Sequence, residues 1–539
     1  MNGRVNGYGT EHESPKEECK SLLQPTGKDE LHDIVCVGFG PASLAIAVAL
    51  HDALDTKDAA SRLSTRQPKV AFLERQEQFA WHAGMQIPGA KMQISFIKDL
   101  ATLRNPKSDF TFINYLHQKG RLVQFTNLDT FLPQRAEYED YMRWCASWFT
   151  DLVHYSQEVL SIEPNVSSTS PKHAITFTVT ARNTRTLETT TIRSKHVIIA
   201  AGGRPRIPPS LPQKHPRVLH SSQYRTATSS LFADRTIPLR VAVIGGGQSA
   251  AEIFSDLPSR FPNSRSYLLL RTAAMKPSDD SPFVNEIFDP IRVDDIFAQS
   301  AAVRAEALGR DRSTNYGVVR PALLEHIYEE MYMQRLRHGN EEENWPRRIL
   351  RFREVVGVDS VNAGVGSGSV RLSIRDRSAS FEPSMPCGLD RHCNQRSGAV
   401  GSNGHVNSNG HVNGTDGHTS DDGEASDSSS ETLEVDLVLV ASGYERDSHV
   451  SMLENCRHIM PAGENKWQVD RDYRVRFAAG RVSDQAGIWL QGCNEGTHGL
   501  SDTLLSILAV RGGEMVESIF GQKGSTKSKA MTNGVSNGY

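Results

Sequence analysis

Two clusters of glycine, each between an apolar run and a helix-compatible run, are the residues of this chain best placed for chemistry. In the first, Gly38, Gly40 and Ser43 occupy the G-x-G-x-x-G positions of IVCVGFGPASLAIAVAL, with Pro41 at the expected helix start. The first glycine permits a tight turn, the second lets the backbone approach a pyrophosphate, and a small third residue keeps helix and strand close. The next apolar run, KVAFLE, ends on Glu74. A carboxylate there can accept hydrogen bonds from ribose hydroxyls and would repel a 2′-phosphate, a chemistry that suits FAD. Glu74 stands farther from Gly40 than the roughly 20 residues usual in such units, so a longer helix and a loop around Lys57 to Pro68 must intervene. The plainer alternative is an ordinary α/β turn and a surface glutamate.

The second cluster lies roughly two hundred residues on, in LRVAVIGGGQSAAEIF, where Gly245, Gly247 and Ala250 fill the same pattern. Gly246, Gly247, Gln248 and Ser249 are expected around a second pyrophosphate. The following strand, SYLLLRTA, carries Arg271 where the first unit carries an acid. A guanidinium can pair with a 2′-phosphate in bidentate fashion, which favours NADPH over NADH. An arginine on a solvated strand end would leave that choice open.

Two dinucleotide sites in one chain describe a flavoprotein in which NADPH delivers hydride to FAD. A disulfide reductase would also need two closely spaced cysteines at the flavin. The seven cysteines are Cys19, Cys36, Cys145, Cys387, Cys393, Cys456 and Cys493. Cys36 and Cys145 are solitary, and the Cys387/Cys393 pair falls in a polar stretch, so oxygen is the expected electron acceptor. The same spacing makes neither a disulfide framework nor a zinc pattern, and no metal site is expected; His405, His411 and His418 lack a supporting carboxylate or cysteine scaffold.

Other residues stand out by context. Lys98 lies in the mainly apolar MQISFIKDL, where an ammonium could hold an amino-acid carboxylate; the alternative is a surface ion pair with Asp99. Asn285 and Asn315 offer uncharged donors and acceptors, yet asparagine is also common at caps and turns. Trp81 and His82 sit in a ring-rich run and could face a flavin or fill a core. Neither His82 nor His498 is assigned as a catalytic base, and no side chain is: the flavin carries the difficult chemistry.

The elements that must position these residues follow from pattern. An α/β fold is expected, with two Rossmann-like dinucleotide-binding domains, for FAD and NADPH, and a smaller helical substrate-binding region. The anticipated boundaries are a disordered arm at 1–30, the FAD-binding domain at 31–235, the NADPH-binding domain with substrate elements at 236–380, a low-complexity insertion at 381–432, the rest of the FAD-binding domain at 433–518, and a disordered tail at 519–539. The insertion contains the near-repeat SNGHVNSNGHVNG, which cannot build a core. The 539 residues are 38% hydrophobic and 23% charged, with a formal net charge of -3, so no global field draws nucleic acid or anionic membrane. The apolar run from Ile34 to Leu50 is interrupted by Gly38, Gly40 and Pro41, which argues against a membrane span. The polar N-terminus has no apolar signal core, so a cytoplasmic location is expected.

Beyond single motifs, the text resembles the N-hydroxylating flavin monooxygenases, and within them the fungal L-ornithine N5-monooxygenases of siderophore biosynthesis. The likeness runs from about His32 to Gly512 through GFGPASLA, FAWHAGMQIPGAKMQISFIKDLATLRNPKSDFTFINYL, YEDYMRWCASW, GGGQSAAEIF, DDSPFVNEIFDP, STNYGVV and THGLSDTLLS. It departs at the long insertion and at Ser442, where related flavoproteins carry threonine. The resemblance implies FAD at the first glycine turn, at Glu74 to His82 including Trp81, and at Gln93, Val159, Thr503, Leu504 and Leu505, with Met92 and Arg135 nearby. It implies NADP at Gly246 to Ser249, Arg271, Asn315, Tyr316 and Gly317. The amino acid is expected at Lys98, Asn285, Glu286, Ile287, Phe288 and Ser506. The implied reaction is N5-hydroxylation of L-ornithine with O2: NADPH reduces FAD, oxygen adds at flavin C4a, and the neutral amine attacks the distal oxygen of the hydroperoxide. This would be the first step of hydroxamate siderophore biosynthesis, and the family suggests a homotetramer. A lysine N6-monooxygenase, or a flavin monooxygenase acting on ketones or sulfides, remains open.

Overall fold

The computed structural model describes residues 20–55, 63, 67–166, 173–361, 368–378 and 431–521. Strand β1 (His32–Val37) reads HDIVCV and is buried along almost its whole length, as a strand covered on both faces must be. It pairs in parallel with β2 (Val70–Leu73) on one side. Beyond β2 lies the short β3 (Val153–His154), also parallel. Strands β4 (Gln157–Val166) and β5 (Ala174–Asn183) are antiparallel. They extend the sheet through β6 (Thr189–Ile199), giving the order β3-β2-β1-β6-β5-β4. The first part of β6 pairs with β5, while its end pairs with β1 and with the late strand Gly487–Leu490. The first sheet therefore closes with residues from the far end of the chain.

The helix Pro41–Leu54 that follows β1 is almost entirely apolar, PASLAIAVALHDAL. A helix apolar all round must be covered all round, and here the helix Leu508–Phe520 packs against it. Two expected boundaries are corrected by this packing. Residues 20–30 do not form part of a disordered arm: Leu23 is buried in the core, and the Ser21 N–H donates to the Trp148 carbonyl at 3.0 Å. Ile519 and Phe520 belong to the last helix rather than to a disordered tail, because Phe520 is buried against the same core. The remaining parts of the arm, the tail and the insertion, with its histidines, lie outside the described residues.

The second sheet is wholly parallel, in the order Arg347–Leu350, Arg265–Leu269, Arg240–Ile244, Leu437–Val440, Val218–His220. It takes one strand from before the expected start at 236 and one from beyond the expected end at 380. Those boundaries are corrected, since strand pairing and not chain order decides which unit a segment joins. A three-stranded antiparallel sheet, Arg353–Val361, Ser369–Asp376 and Glu431–Val435, covers it. Val355, Val370, Leu372 and Ile374 of that cover share a core with Ala242, Leu269 and Val438. Residues 431 and 432, assigned to the insertion from sequence, lie in its third strand.

The smaller helical region is present as Pro282–Asn285, Arg292–Ala298, Ala301–Asp311 and Pro321–His338. The protein is thus α/β, with two dinucleotide-binding units and a helical region beside them. Among the described residues no helix is long and apolar enough to cross a membrane, and no group of three or more His, Cys, Asp or Glu side chains is arranged to hold a metal ion.

Candidate active site

Both glycine turns stand where a βα unit binds phosphate, just past the carboxyl ends of the strands His32–Val37 and Arg240–Ile244. Gly38 has φ +89°, and a Cβ there would lie 2.7 Å from the Ala200 carbonyl oxygen, so only glycine fits. Gly40 caps the following helix, and a Cβ on it would meet no atom within 4 Å; that space is open to a ligand. Gly245 repeats the arrangement, with φ +137° and a Cβ position 2.7 Å from the Ala441 carbonyl oxygen. Gly247 caps the helix Gln248–Arg260 and faces Gly317, whose Cα lies 3.4 Å from the Cβ position of Gly247. These cradles fit the pyrophosphates of two dinucleotides.

Glu74 stands directly after β2 and is buried. One carboxylate oxygen accepts from the Phe39 N–H at 2.7 Å and the other from the Gln76 N–H at 2.8 Å. These bonds fix the carboxylate against the glycine turn, and each oxygen keeps a lone pair for a ribose hydroxyl. Arg271 is exposed beyond the Arg265–Leu269 strand. Among the described residues no carboxylate pairs with it, so its fork is uncommitted.

Between the units lies a cleft of about 590 Å³ lined by Gln93, Ile94, Lys98, Ser278, Asp279, Asp280, Asn285, Phe288, Thr314, Asn315, Arg320, Leu504 and Ser506. It joins residues assigned from sequence to three ligands: Gln93 and Leu504 to the flavin, Asn315 to NADP, and Lys98, Asn285, Phe288 and Ser506 to the amino acid. Glu286 and Ile287 are not brought there. They line a separate hollow of about 800 Å³ with Arg292 and Ile296, and Glu286 accepts from Arg292 at 2.8 Å. The short helix at Pro282–Asn285 and the 3-10 turn at Glu286–Phe288 send Asn285 and Phe288, three residues apart, to one side and Glu286 and Ile287 to the other, which a run of four consecutive assignments could not anticipate.

Lys98 has 25% of its side chain exposed, and its ammonium is 3.9 Å from Asp289. Asp99 is not its partner: that carboxylate is buried and accepts from the Ala101, Thr102 and Phe112 N–H groups and the Thr102 hydroxyl. Asn285 Nδ2 donates to the Asp280 carbonyl at 2.7 Å, a bond that does not use its amide oxygen, which keeps its capacity as an acceptor. Ser506 is buried, and its hydroxyl has no hydrogen-bond partner among the described residues. An orphaned buried hydroxyl in a cleft wall is costly unless a ligand completes it.

The NADP-assigned and flavin-assigned segments also touch directly. The Tyr316 hydroxyl donates to Glu495 at 2.7 Å and lies 3.1 Å from the Thr503 hydroxyl; burial raises its pKa. Gly317, φ +71°, turns the chain just after it. Leu505 is half-buried in the 3-10 turn Leu505–Ile507. Trp81 is half-buried with its ring 5.1 Å from that of His82, which has left-handed backbone geometry and lies 5.9 Å from Tyr444. Val159, expected at the FAD, is buried with its side chain among Val35, Ala71 and Val179, so its backbone is the part left for a cofactor.

Gln248 is a further difference. Its side chain does not point freely at a pyrophosphate: the amide oxygen accepts from the Arg320 N–H at 2.9 Å and the amide nitrogen donates to Glu252 at 2.9 Å. Ser249 remains in the first turn of the same helix. Met92 is buried and its carbonyl accepts from Arg320 at 2.9 Å. Arg320, Asp279 and Asp280 were not singled out from sequence. The paired acids of DDSPFVNE were a visible signal, whereas Arg320 carried none, because its contacts come from residues remote in the chain.

Comparison with known proteins agrees with this geometry. A family model described as L-lysine 6-monooxygenase/L-ornithine 5-monooxygenase matches residues 30–385. The L-ornithine N(5)-monooxygenase of Cochliobolus heterostrophus is 52% identical over 529 residues, covering 96% of this chain and 92% of that one. The ornithine hydroxylase structure from Pseudomonas aeruginosa superposes with a TM-score of 0.72 at 32% identity, covering 91% of this chain and 99% of the other. The ornithine N-hydroxylase of Kutzneria sp. 744, described with FADred, NADP+ and L-orn, gives the same TM-score of 0.72, identity of 32% and coverage of 91% and 99%. With two glycine turns of the dinucleotide-binding type and a family match over most of its length, the chain belongs to the L-lysine 6-monooxygenase/L-ornithine 5-monooxygenase family of flavin-dependent enzymes.

Proposed function

We propose that the protein hydroxylates the side-chain amine of L-ornithine at N5, using FAD, NADPH and O2. The observation that carries this reading is the single cleft that holds Lys98, Asn285 and Ser506 beside Gln93, Leu504 and Asn315. The first sheet with its Gly38–Gly40 turn and Glu74 would hold FAD. The second sheet, with its Gly245–Gly247 turn and antiparallel cover, would hold NADPH, with Arg271 on the 2′-phosphate. When bound, the flavin supplies the activation of oxygen. The Lys98 ammonium binds the α-carboxylate, the Asn285 amide oxygen accepts from the α-ammonium, and the Ser506 hydroxyl completes a further polar contact. Anchoring the amino-acid head in this way leaves the side-chain amine pointing along the cleft. That amine must be neutral to react, although an alkylammonium has a pKa of about 10.4. Phe288, Ile94 and Leu504 in the wall disfavour the charged form by withholding water.

The fungal relative's name and the Kutzneria neighbour's ligands support ornithine as substrate, and the siderophore route is the corresponding use of the product. The test is to supply NADPH and O2 with L-ornithine, L-lysine or a cyclic ketone and to locate the added oxygen by mass spectrometry. Oxygen on N5 of ornithine is the expected product. N6-hydroxylysine as the main product, or a lactone from the ketone, would replace this reading.

A further inference from the structure

Arg135 opens the helix Arg135–Ser147 beside the first sheet, and Glu252 lies in the second turn of the helix Gln248–Arg260 in the second unit. Their side chains meet in a two-pronged ion pair, with N···O distances of 2.9 and 2.7 Å, at 13% and 6% exposure. The pair is the centre of a circuit. Arg135 also donates to the Met85 carbonyl at 2.7 Å. Glu252 also accepts from Gln248, Gln248 accepts from the Arg320 N–H, and the Arg320 side chain donates back to the Met92 carbonyl. The Arg135–Glu252 pair thus joins the helix beside the first sheet to the helix that starts at the second glycine cluster, and the Arg135–Met85 and Arg320–Met92 bonds tie the segment Met85 to Met92, whose Met85 and Ile87 sit in the core of the second unit, into the same circuit.

We infer that Arg135 and Glu252 are positioning residues that fix the nicotinamide-side helix over the flavin-side cleft, and so set the rate of hydride transfer from NADPH to FAD. The inference rests on the cofactor assignment proposed above. In the step concerned, the hydride leaves NADPH with both electrons of its C–H bond, giving NADP+, and FAD is reduced by those two electrons. Its rate depends steeply on donor–acceptor geometry. A buried ion pair is a weak stabiliser compared with an apolar pair of equal volume, because both charges lose their water. What it supplies is orientation, since a planar guanidinium meets a carboxylate along two parallel bonds in only one way. The location fits that role, for the circuit ties down the helix N-terminus that would carry the NADPH pyrophosphate and the carbonyl of Met92 beside cleft-lining Gln93.

The experiment is anaerobic stopped-flow reduction of the FAD-loaded protein by NADPH without any amine. The variants are Arg135→Lys, which keeps the charge and loses the fork, and the double variant Arg135→Met with Glu252→Met, which keeps the volume and loses both charges. A second readout, independent of turnover, is hydrogen exchange of the Met85 to Met92 backbone. The expected result is a fall of roughly ten- to a hundred-fold in the reduction rate at saturating NADPH. NADPH affinity and FAD content should stay near parental, and exchange at Met85 to Met92 should be faster. Parental reduction rates in either variant, or a loss confined to NADPH affinity, would overturn the inference. So would a Met/Met variant that does not fold, since that would show the pair to serve stability. Because ornithine is absent, a wrong substrate assignment leaves this test untouched, whereas a parent that NADPH cannot reduce would instead sink the proposed function.

Discussion

Lys98 keeps its ammonium 3.9 Å from the nearest paired carboxylate, Asp289, a distance at which the protein commits little of its charge. A ligand carboxylate can therefore claim it. A hydrogen bond to a charged group contributes on the order of 1.5 to 3 kcal/mol, so Lys98→Ala should lower kcat/KM for ornithine by roughly ten- to a few-hundred-fold. Flavin reduction by NADPH should be nearly unchanged, and hydrogen peroxide released per NADPH should rise, because oxygen is activated without a placed amine. Normal ornithine binding together with loss of FAD would move Lys98 from the substrate to the flavin. Arg271 offers a parallel case. Since only NADPH carries the phosphate proposed to meet its exposed guanidinium, Arg271→Ala should raise the KM for NADPH far more than that for NADH. Equal losses with the two cofactors would remove Arg271 from the site.

Elements, in contrast, are held by pairing and burial that no single site residue controls. The strands Ser369–Asp376 and Glu431–Val435 are antiparallel neighbours with Val370 opposite Val435 and Ile374 opposite Glu431. Their facing ends are adjacent in space, so a short connection can close them, and the closure cost varies only slowly with loop length. Deleting residues 402–430, a Gly, Ser, Asn and Asp-rich stretch with little apolar area to bury, should leave FAD content, melting temperature and turnover close to parental. Absorbance of bound flavin and a thermal melt test this directly; release of flavin from the shortened protein would show that the segment takes part in the site.

Across the whole molecule, two buried histidines make stability depend on pH. His196 and His498 both have pKa values lowered to about 4, in each case chiefly by burial. His196 lies against Trp489 with Nδ1 unpartnered among the described residues, and His498 is bonded through Nε2 to the Arg471 carbonyl at 3.1 Å. An unfolded histidine titrates near 6.5, so between about 6.5 and 4 the unfolded chain binds more protons than the folded one. The stability from keeping these rings neutral is full above about pH 6.5 and declines as pH falls toward 4. Each ring adds a slope of up to about 1.4 kcal/mol per pH unit. Melting temperatures should fall from pH 7 to pH 4.5, and His196→Phe, which removes one titrating ring, should reduce the dependence. An equally steep profile in that variant would assign the effect to other groups.

The two glycine turns, the α/β class and the family were legible from the residues alone, because those depend on local signals: an apolar strand, a backbone conformation open only to glycine, and a helix that must be covered on all sides. The sequence also marked Lys98, Asn285, Asn315 and Ser506, since long quoted motifs carry them. Whatever depends on contacts between remote segments emerged only from the folded chain. Folding placed Val218–His220 and Leu437–Val440 in the second sheet, docked residues 20–30 onto the first unit, and turned Glu286 and Ile287 away from the cleft. It also committed Gln248 to Arg320 and Glu252, and Glu252 to Arg135. Periodicity and motif spacing describe what a segment presents, but a hydrogen bond between Arg135 and Glu252 exists only once two units have packed together.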